Sequence, residues 1–177
     1  MKTKRLVIDA LCAALYVLLS SFASVSLLNL KLSFDALPRL IGAILFGPAD
    51  GLVIGLLGSF LGQLLGPYGL SVTTPLWMLP AAVRGLLVGL WARRRGGRYG
   101  RGQLAAVLVG TALAVTALNT GVMWVDSRVF AYPFAATLPS VALRVAAGLV
   151  TSGLYTLLLP PIVRALRRGG LTERKDA

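Results

Sequence analysis

The sequence predicts an all-α integral membrane protein of six transmembrane helices in a single domain, and three observations predict it. Hydrophobic residues make up 56% of the chain and charged residues 14%, with a mean hydropathy of +0.79, whereas a soluble domain is usually about 45–50% apolar. The apolar residues gather into runs, and the basic residues punctuate them. Thirteen of the eighteen Lys and Arg fall in three clusters: Lys2, Lys4 and Arg5; Arg93, Arg94, Arg95, Arg98 and Arg101; Arg164, Arg167, Arg168, Arg174 and Lys175. Six crossings put all three clusters and both termini on one side, which the excess of positive charge marks as cytoplasmic. The net charge of +12 is therefore read as membrane topology. A nucleic-acid surface would need its basic residues on one folded face.

The first apolar run, Leu6 to Leu28, follows the basic MKTKR. It is longer than the ~7–15-residue core of a signal peptide, so a retained helix over 6–28 is expected. Ala10 and Ala14 form a small-xxx-small pair on it, a pattern that brings helices close. A second helix is expected over 36–47, with Pro38 in its first turn, where the missing N–H does no harm. Its apolar body of about ten residues reaches only ~15 Å at 1.5 Å per residue, against ~30 Å of hydrocarbon. Part of the preceding LNLKLSF segment is thus expected at membrane depth, covered by protein, and short spans of this kind tend to line a cavity.

The third helix, 49–65, carries glycines at 51, 55, 58 and 62, with Gly47 and Gly66 at its ends. At about 100° per residue all six lie within an arc of roughly 100°, so one face is stripped of side chains where another backbone must approach. A polar loop, GPYGLSVTTP, follows it. The fourth helix, 76–92, contains Pro80 and Arg84 and ends in ARRRGGRYGRG. The fifth, 104–125, carries Asn119 and Trp124 and leads into DSRVFAYP. The sixth, 138–160, contains Arg144, and Pro160-Pro161 are expected to disturb it before a basic tail over 164–177.

A single cysteine, Cys12, and the lack of histidine exclude an intrachain disulfide, a Cys/His metal site and a His-based triad. No G-x-x-x-x-G-K-[ST] loop is present for nucleotide hydrolysis, and no acidic cluster for a metal. No catalytic residue, metal or cofactor is expected.

The polar residues inside the apolar runs are the candidate site. A cation in hydrocarbon costs about 2.5–3.5 kcal/mol even on the lenient insertion scale, which singles out Arg39, Arg84 and Arg144. Counting ~1.5 Å per residue from the outer-side prolines puts Arg39 at the rim, Arg144 roughly 8 Å down and Arg84 roughly 13 Å down. Asp35 and Asp126 are both assigned to outer loops, so no carboxylate is expected at the depth of Arg84. An anionic ligand would supply its partner. Arg39 has an alternative partner in Asp35 at i, i+4, and Arg144 can snorkel to headgroups. Trp77 lies two turns from Arg84 on the same helix face. Tyr68 belongs with the outer aromatics, for which an interfacial belt is the ordinary explanation. Asn119 and Gln63 are either interhelical hydrogen-bonding groups or readers of a ligand.

The basic N-terminus, the Ala10-xxx-Ala14 helix and the segment LKLSFDALPRLIGAILFGPADGLVIGLLGSFLG resemble the substrate-binding S components of energy-coupling factor (ECF) vitamin transporters, most of all the folate-type members. Where that group commonly has a PGFT-like segment, this chain has YGLSVTTPLW. The resemblance implies an S-component-like bundle in a bacterial cell membrane that captures a micronutrient from outside, folate-like and anionic. It also implies association with a transmembrane coupling subunit and two ATPase subunits, with Ala10 and Ala14 at the coupling interface. The ligand would lie in the outer half, near Arg39, Tyr68, Trp77 and the loop before the sixth helix. Two other classes remain open. A small scaffold of the MreD type has similar length and helix number but needs no polar cavity. A stand-alone channel needs a polar path on both sides, and Leu86–Trp91 and Leu149–Leu159 offer little polarity.

Overall fold

The computed structural model describes residues 2–22, 24–27, 30–66, 69–97 and 99–170. Helices α1 (Lys2–Phe22), α2 (Ala36–Leu45), α3 (Pro48–Leu64), α4 (Thr74–Arg94), α5 (Arg101–Val129) and α6 (Leu138–Arg168) form the body, with a 3-10 turn at Phe134–Thr137. By length and composition four segments can cross a membrane: Arg5–Phe22, Thr74–Arg94, Arg101–Val129 and Phe134–Arg168. The α2 and α3 helices, of 10 and 17 residues, fall short of that criterion.

Two expectations are corrected here. The first helix stops at Phe22, and the end of the apolar run turns into a two-stranded antiparallel hairpin, β1 (Ser24–Leu27) with β2 (Leu30–Ser33). Val25 faces Leu32 and Leu27 faces Leu30 in the register. The alternation in SVSL and LKLS is therefore a strand period, which the sequence does not set apart as strand because the apolar run into which it merges has the length of a span. The second correction concerns Pro160 and Pro161, which do not end the last helix. It continues to Arg168, and Arg164 Nε donates to the Pro160 carbonyl at 3.1 Å. The first residues of the basic tail are thus helical.

The short α2 is central. Seven of its ten residues are buried, as suits a helix that is apolar on nearly every side. Leu40, Ala43 and Ile44 pack with Val88 of α4, Leu104 and Leu108 of α5, and Tyr155, Leu159 and Val163 of α6. The chain turns from α2 into α3 at Gly47, whose φ of 120° suits only glycine. Arg5 of α1 closes this turn from outside, gripping both carboxylate oxygens of the buried Asp50 and the Phe46 carbonyl.

The glycine face of α3 is shared between two neighbours. A Cβ on Gly55 would stand 2.7 Å from the Ala81 carbonyl oxygen of α4, and one on Gly51 2.6 Å from that of Gly85. Further along, a Cβ on Gly58 would stand 2.6 Å from the Tyr16 ring of α1. The seam thus joins α3 to α4 backbone to backbone and then opens just enough to seat an aromatic ring.

Candidate functional site

That ring forms part of the wall of a cavity of about 240 Å³, lined from every α-helix of the body. Tyr16 comes from α1, Asp35, Ala36 and Arg39 from the start of α2, and Ser59 from α3; Trp77, Pro80 and Arg84 come from α4, Asn119 from α5, and Thr151 and Tyr155 from α6. Local chemistry explains these placements. The ring of Pro80 removes one N–H from the α4 ladder, and Ser59 Oγ donates to the neighbouring Trp77 carbonyl at 3.4 Å. Ala81, Ala147 and Gly148 line the cavity with little volume and leave room at its walls.

The cavity gathers two guanidinium groups. Arg39 is 4% exposed and Arg84 is 7% exposed. Each stacks on a tyrosine: Arg39 lies 5.5 Å from the ring centre of Tyr16 and Arg84 lies 5.8 Å from that of Tyr155. Aromatic faces attract cations but accept no N–H in the manner of an oxygen. Arg84 accordingly keeps Nε and Nη2 without hydrogen-bond partners, and Arg39 keeps Nε. Among the described residues Asp35 is the only carboxylate on the wall, so the lining carries two cations and one anion.

Of the residues singled out in the sequence, Arg39, Arg84, Trp77 and Asn119 line this cavity. Arg144 does not; its guanidinium lies 6.0 Å from the ring centre of Trp77. Gln63 lies outside the lining too, one turn beyond Ser59 on α3, with its Nε2 buried and unpartnered. Tyr68 falls outside the described residues. Ala10 and Ala14 are exposed on α1, on the same side as Leu6, Leu11 and Leu18, while Ala13 and Tyr16 face inward.

The expectation that no carboxylate shares the surroundings of Arg84 is corrected by Asp35, which reaches the same cavity from the residue before α2. Tyr16, Tyr155, Ser59 and Thr151 went unremarked in the sequence. One signal was available: Tyr16 and Tyr155 are the two tyrosines that sit within apolar runs of the sequence, the others falling in its more polar stretches.

Several long apolar helices built round a cationic, aromatic-walled cavity define a class of multi-pass membrane protein. Residues 4–170 match the model of the family described as ECF transporter, substrate-specific component. The chain belongs to that family. It is thus the substrate-specific subunit of a transporter and not an enzyme, and it works with ECF membrane and ATPase subunits on a small-molecule substrate. The fold agrees. A solved structure described as the S component of a bacterial ECF transporter superposes with a TM-score of 0.63 over 95% of this chain and 98% of that one, at 17% identity. A UPF0397 protein of Vibrio atlanticus is 28% identical over 138 residues, 74% of each chain. A UPF0397 protein of Lactobacillus gasseri is 33% identical over 98 residues, 53% of this chain and 50% of that relative.

Proposed function

We propose that this subunit captures a small anionic micronutrient of the vitamin type, folate-like in carrying a carboxylate, in the cavity between Arg39 and Arg84. One observation carries the reading: Arg84 is 7% exposed and holds two N–H groups without partners beside a second buried guanidinium. Buried charges are normally paired, and a carboxylate matches the fork of a guanidinium with two parallel hydrogen bonds. Trp77 offers a flat face for a planar ligand, and Asn119 and Thr151 offer hydrogen bonds to its polar edge. A scaffold of the MreD type would leave these cations without a task.

In this reading the exposed face of α1 around Ala10 and Ala14 meets the coupling subunit, where small residues let another helix approach closely. One experiment joins both halves. Protein purified from its own cells should carry a compound that a mass spectrum identifies as an organic anion. Ala10→Trp or Ala14→Trp should abolish association with the coupling subunit, and with it uptake, while the same compound stays bound. A bound neutral or cationic compound, or none, would overturn the ligand class. Loss of the compound in the Trp variants would make the pair part of the internal packing.

The reading also takes both termini and the 93–101 segment as cytoplasmic, supported by the three basic clusters. A cysteine placed at Arg98 should resist a membrane-impermeant thiol reagent in intact cells and react once the cells are opened. Labelling in intact cells would reverse the orientation.

A further inference from the structure

Near the C-terminal end of α5, Asp126 is bonded by three side chains, two from the start of α4 and one from the connection to α6. Its Oδ1 accepts from Thr73 Oγ1 at 2.5 Å, on the residue before α4, and from Trp77 Nε1 at 3.4 Å, one turn into α4. Its Oδ2 accepts from the Tyr132 hydroxyl at 3.1 Å, in the connection to α6. That hydroxyl lies 3.3 Å from the Met123 carbonyl as well. Thr73 is 2% exposed, and its hydroxyl is also 3.0 Å from Ser71 Oγ, while the Ser71 N–H donates to Thr74 Oγ1 at 2.8 Å. The segment leading into α4 is thus knotted on itself and tied to Asp126.

Among the described residues Asp126 forms no ion pair. Two arginines lie over rings instead: Arg128, two residues on from Asp126, is 5.5 Å from the centre of Trp124, and Arg144 is 6.0 Å from that of Trp77. Trp77 is therefore held at its N–H by a carboxylate and covered on a face by a cation, while it also lines the cavity.

We propose that Asp126 is the positioning residue of the cavity mouth: it fixes the Trp77 ring as a wall of the cavity and fastens the segments before α4 and after α5 together beside it. The role as a gate for a ligand rests on the reading of the cavity given above, while the bonding itself does not. An ionised acceptor makes stronger hydrogen bonds than a neutral one, so one side chain can hold three donors. When it lets go, Thr73, Trp77 and Tyr132 are released together and the ring can swing from the wall.

The test measures access to the cavity without using its ligand. In the full chain with Cys12→Ser, Thr151→Cys places a single thiol on the cavity wall, and the probe is the anionic 2-sulfonatoethyl methanethiosulfonate. Asp126→Leu should raise the labelling rate about tenfold or more, from the loss of charge-assisted hydrogen bonds. Asp126→Asn, which keeps one oxygen acceptor of the same shape, should fall between Leu and the parent. The pair Thr73→Val with Tyr132→Phe removes two donors and leaves the carboxylate in place, and should open the cavity even if Asp126→Leu fails to fold. Ala135→Cys, exposed on the 3-10 turn, should label at one rate in every background. Unchanged labelling of Thr151→Cys in the folded variants overturns the proposal, and so does an equal rise at Ala135→Cys, which would indicate general loosening. If access rises but no anion is ever recovered from the protein, the positioning role stands and the ligand reading falls. Recovery of an anion with unchanged access keeps the ligand reading and removes the positioning role.

Discussion

Gly85→Ala should destabilise the protein, and Gly110→Ala, on the same kind of helix, should not. Alanine improves helix propensity over glycine by about 0.8–1.0 kcal/mol at either position, so propensity alone predicts two stabilised variants. At Gly110 no atom lies within 4 Å of the added methyl, and the gain stands. At Gly85 the methyl would fall inside the Gly51 carbonyl, with Gly51 Cα 3.1 Å away. Both obstacles are backbone and cannot swing aside as a long side chain can. Overpacking usually costs about 1–3 kcal/mol and more where nothing yields, so α3 and α4 must part. At about 2–4 °C per kcal/mol for a chain of this size, a loss of roughly 5–10 °C is expected for Gly85→Ala and none for Gly110→Ala. Thermal unfolding in detergent measures it. Equal melting temperatures for the two variants would mean that α3 and α4 do not meet backbone to backbone.

Arg84→Met should move ligand affinity and the stability of the empty protein in opposite directions. The unpartnered Nε and Nη2 are the groups that a ligand carboxylate would satisfy, and hydrogen bonds to charged groups are worth about 1.5–3 kcal/mol each. Losing one or two of them weakens binding by at least ten- to a hundredfold, since about 1.4 kcal/mol is a factor of ten. The affinity concerned is that for the compound recovered from the purified protein, measured by calorimetry. In the empty protein the same guanidinium is a desolvated charge beside Arg39, and replacing buried charge by apolar volume is often neutral or stabilising. The methionine variant should therefore melt no lower than the parent when empty. Arg84→Lys keeps the charge but not the planar fork and should bind with intermediate affinity. Parental affinity in Arg84→Met removes this residue from the ligand site. A sharp fall in the melting temperature of the empty variant makes it a structural residue instead.

The candidate site was legible to the extent that it consists of chemical misfits. Arg39, Arg84, Trp77 and Asn119 are polar or amphipathic groups in apolar runs, and that mismatch can be seen in one sequence; all four stand on one cavity wall. Tyr16 and Tyr155 escaped notice because a tyrosine is apolar enough to pass as ordinary helix surface. What marks Tyr16 is the glycine opposite it at position 58, a relation between two helices that no local window contains. The reach of Asp35 was missed for a related reason: it does stand in the connection before α2, but depth counted along a helix says nothing of where the residue before its first turn points. In the fold, the short α2 and the glycine face of α3 were readable from lengths and spacing. The hairpin was not, because strands of four residues merge into an apolar run whose total length suits a span.

The backbone contact of α3 with α4 bears on how such a subunit can diversify. Gly51, Gly55 and Gly85 present no side chains to one another, so at these positions the distance between the helices is set by backbone. Ser59 continues along α3, and Trp77 and Arg84 sit on α4, each reaching the cavity from this shared frame. Exchanging any of them alters the chemistry on offer to a solute without shifting the axes that carry it. Point substitutions at the wall can therefore change which small molecule such a subunit takes, with the glycines of the seam left as they are.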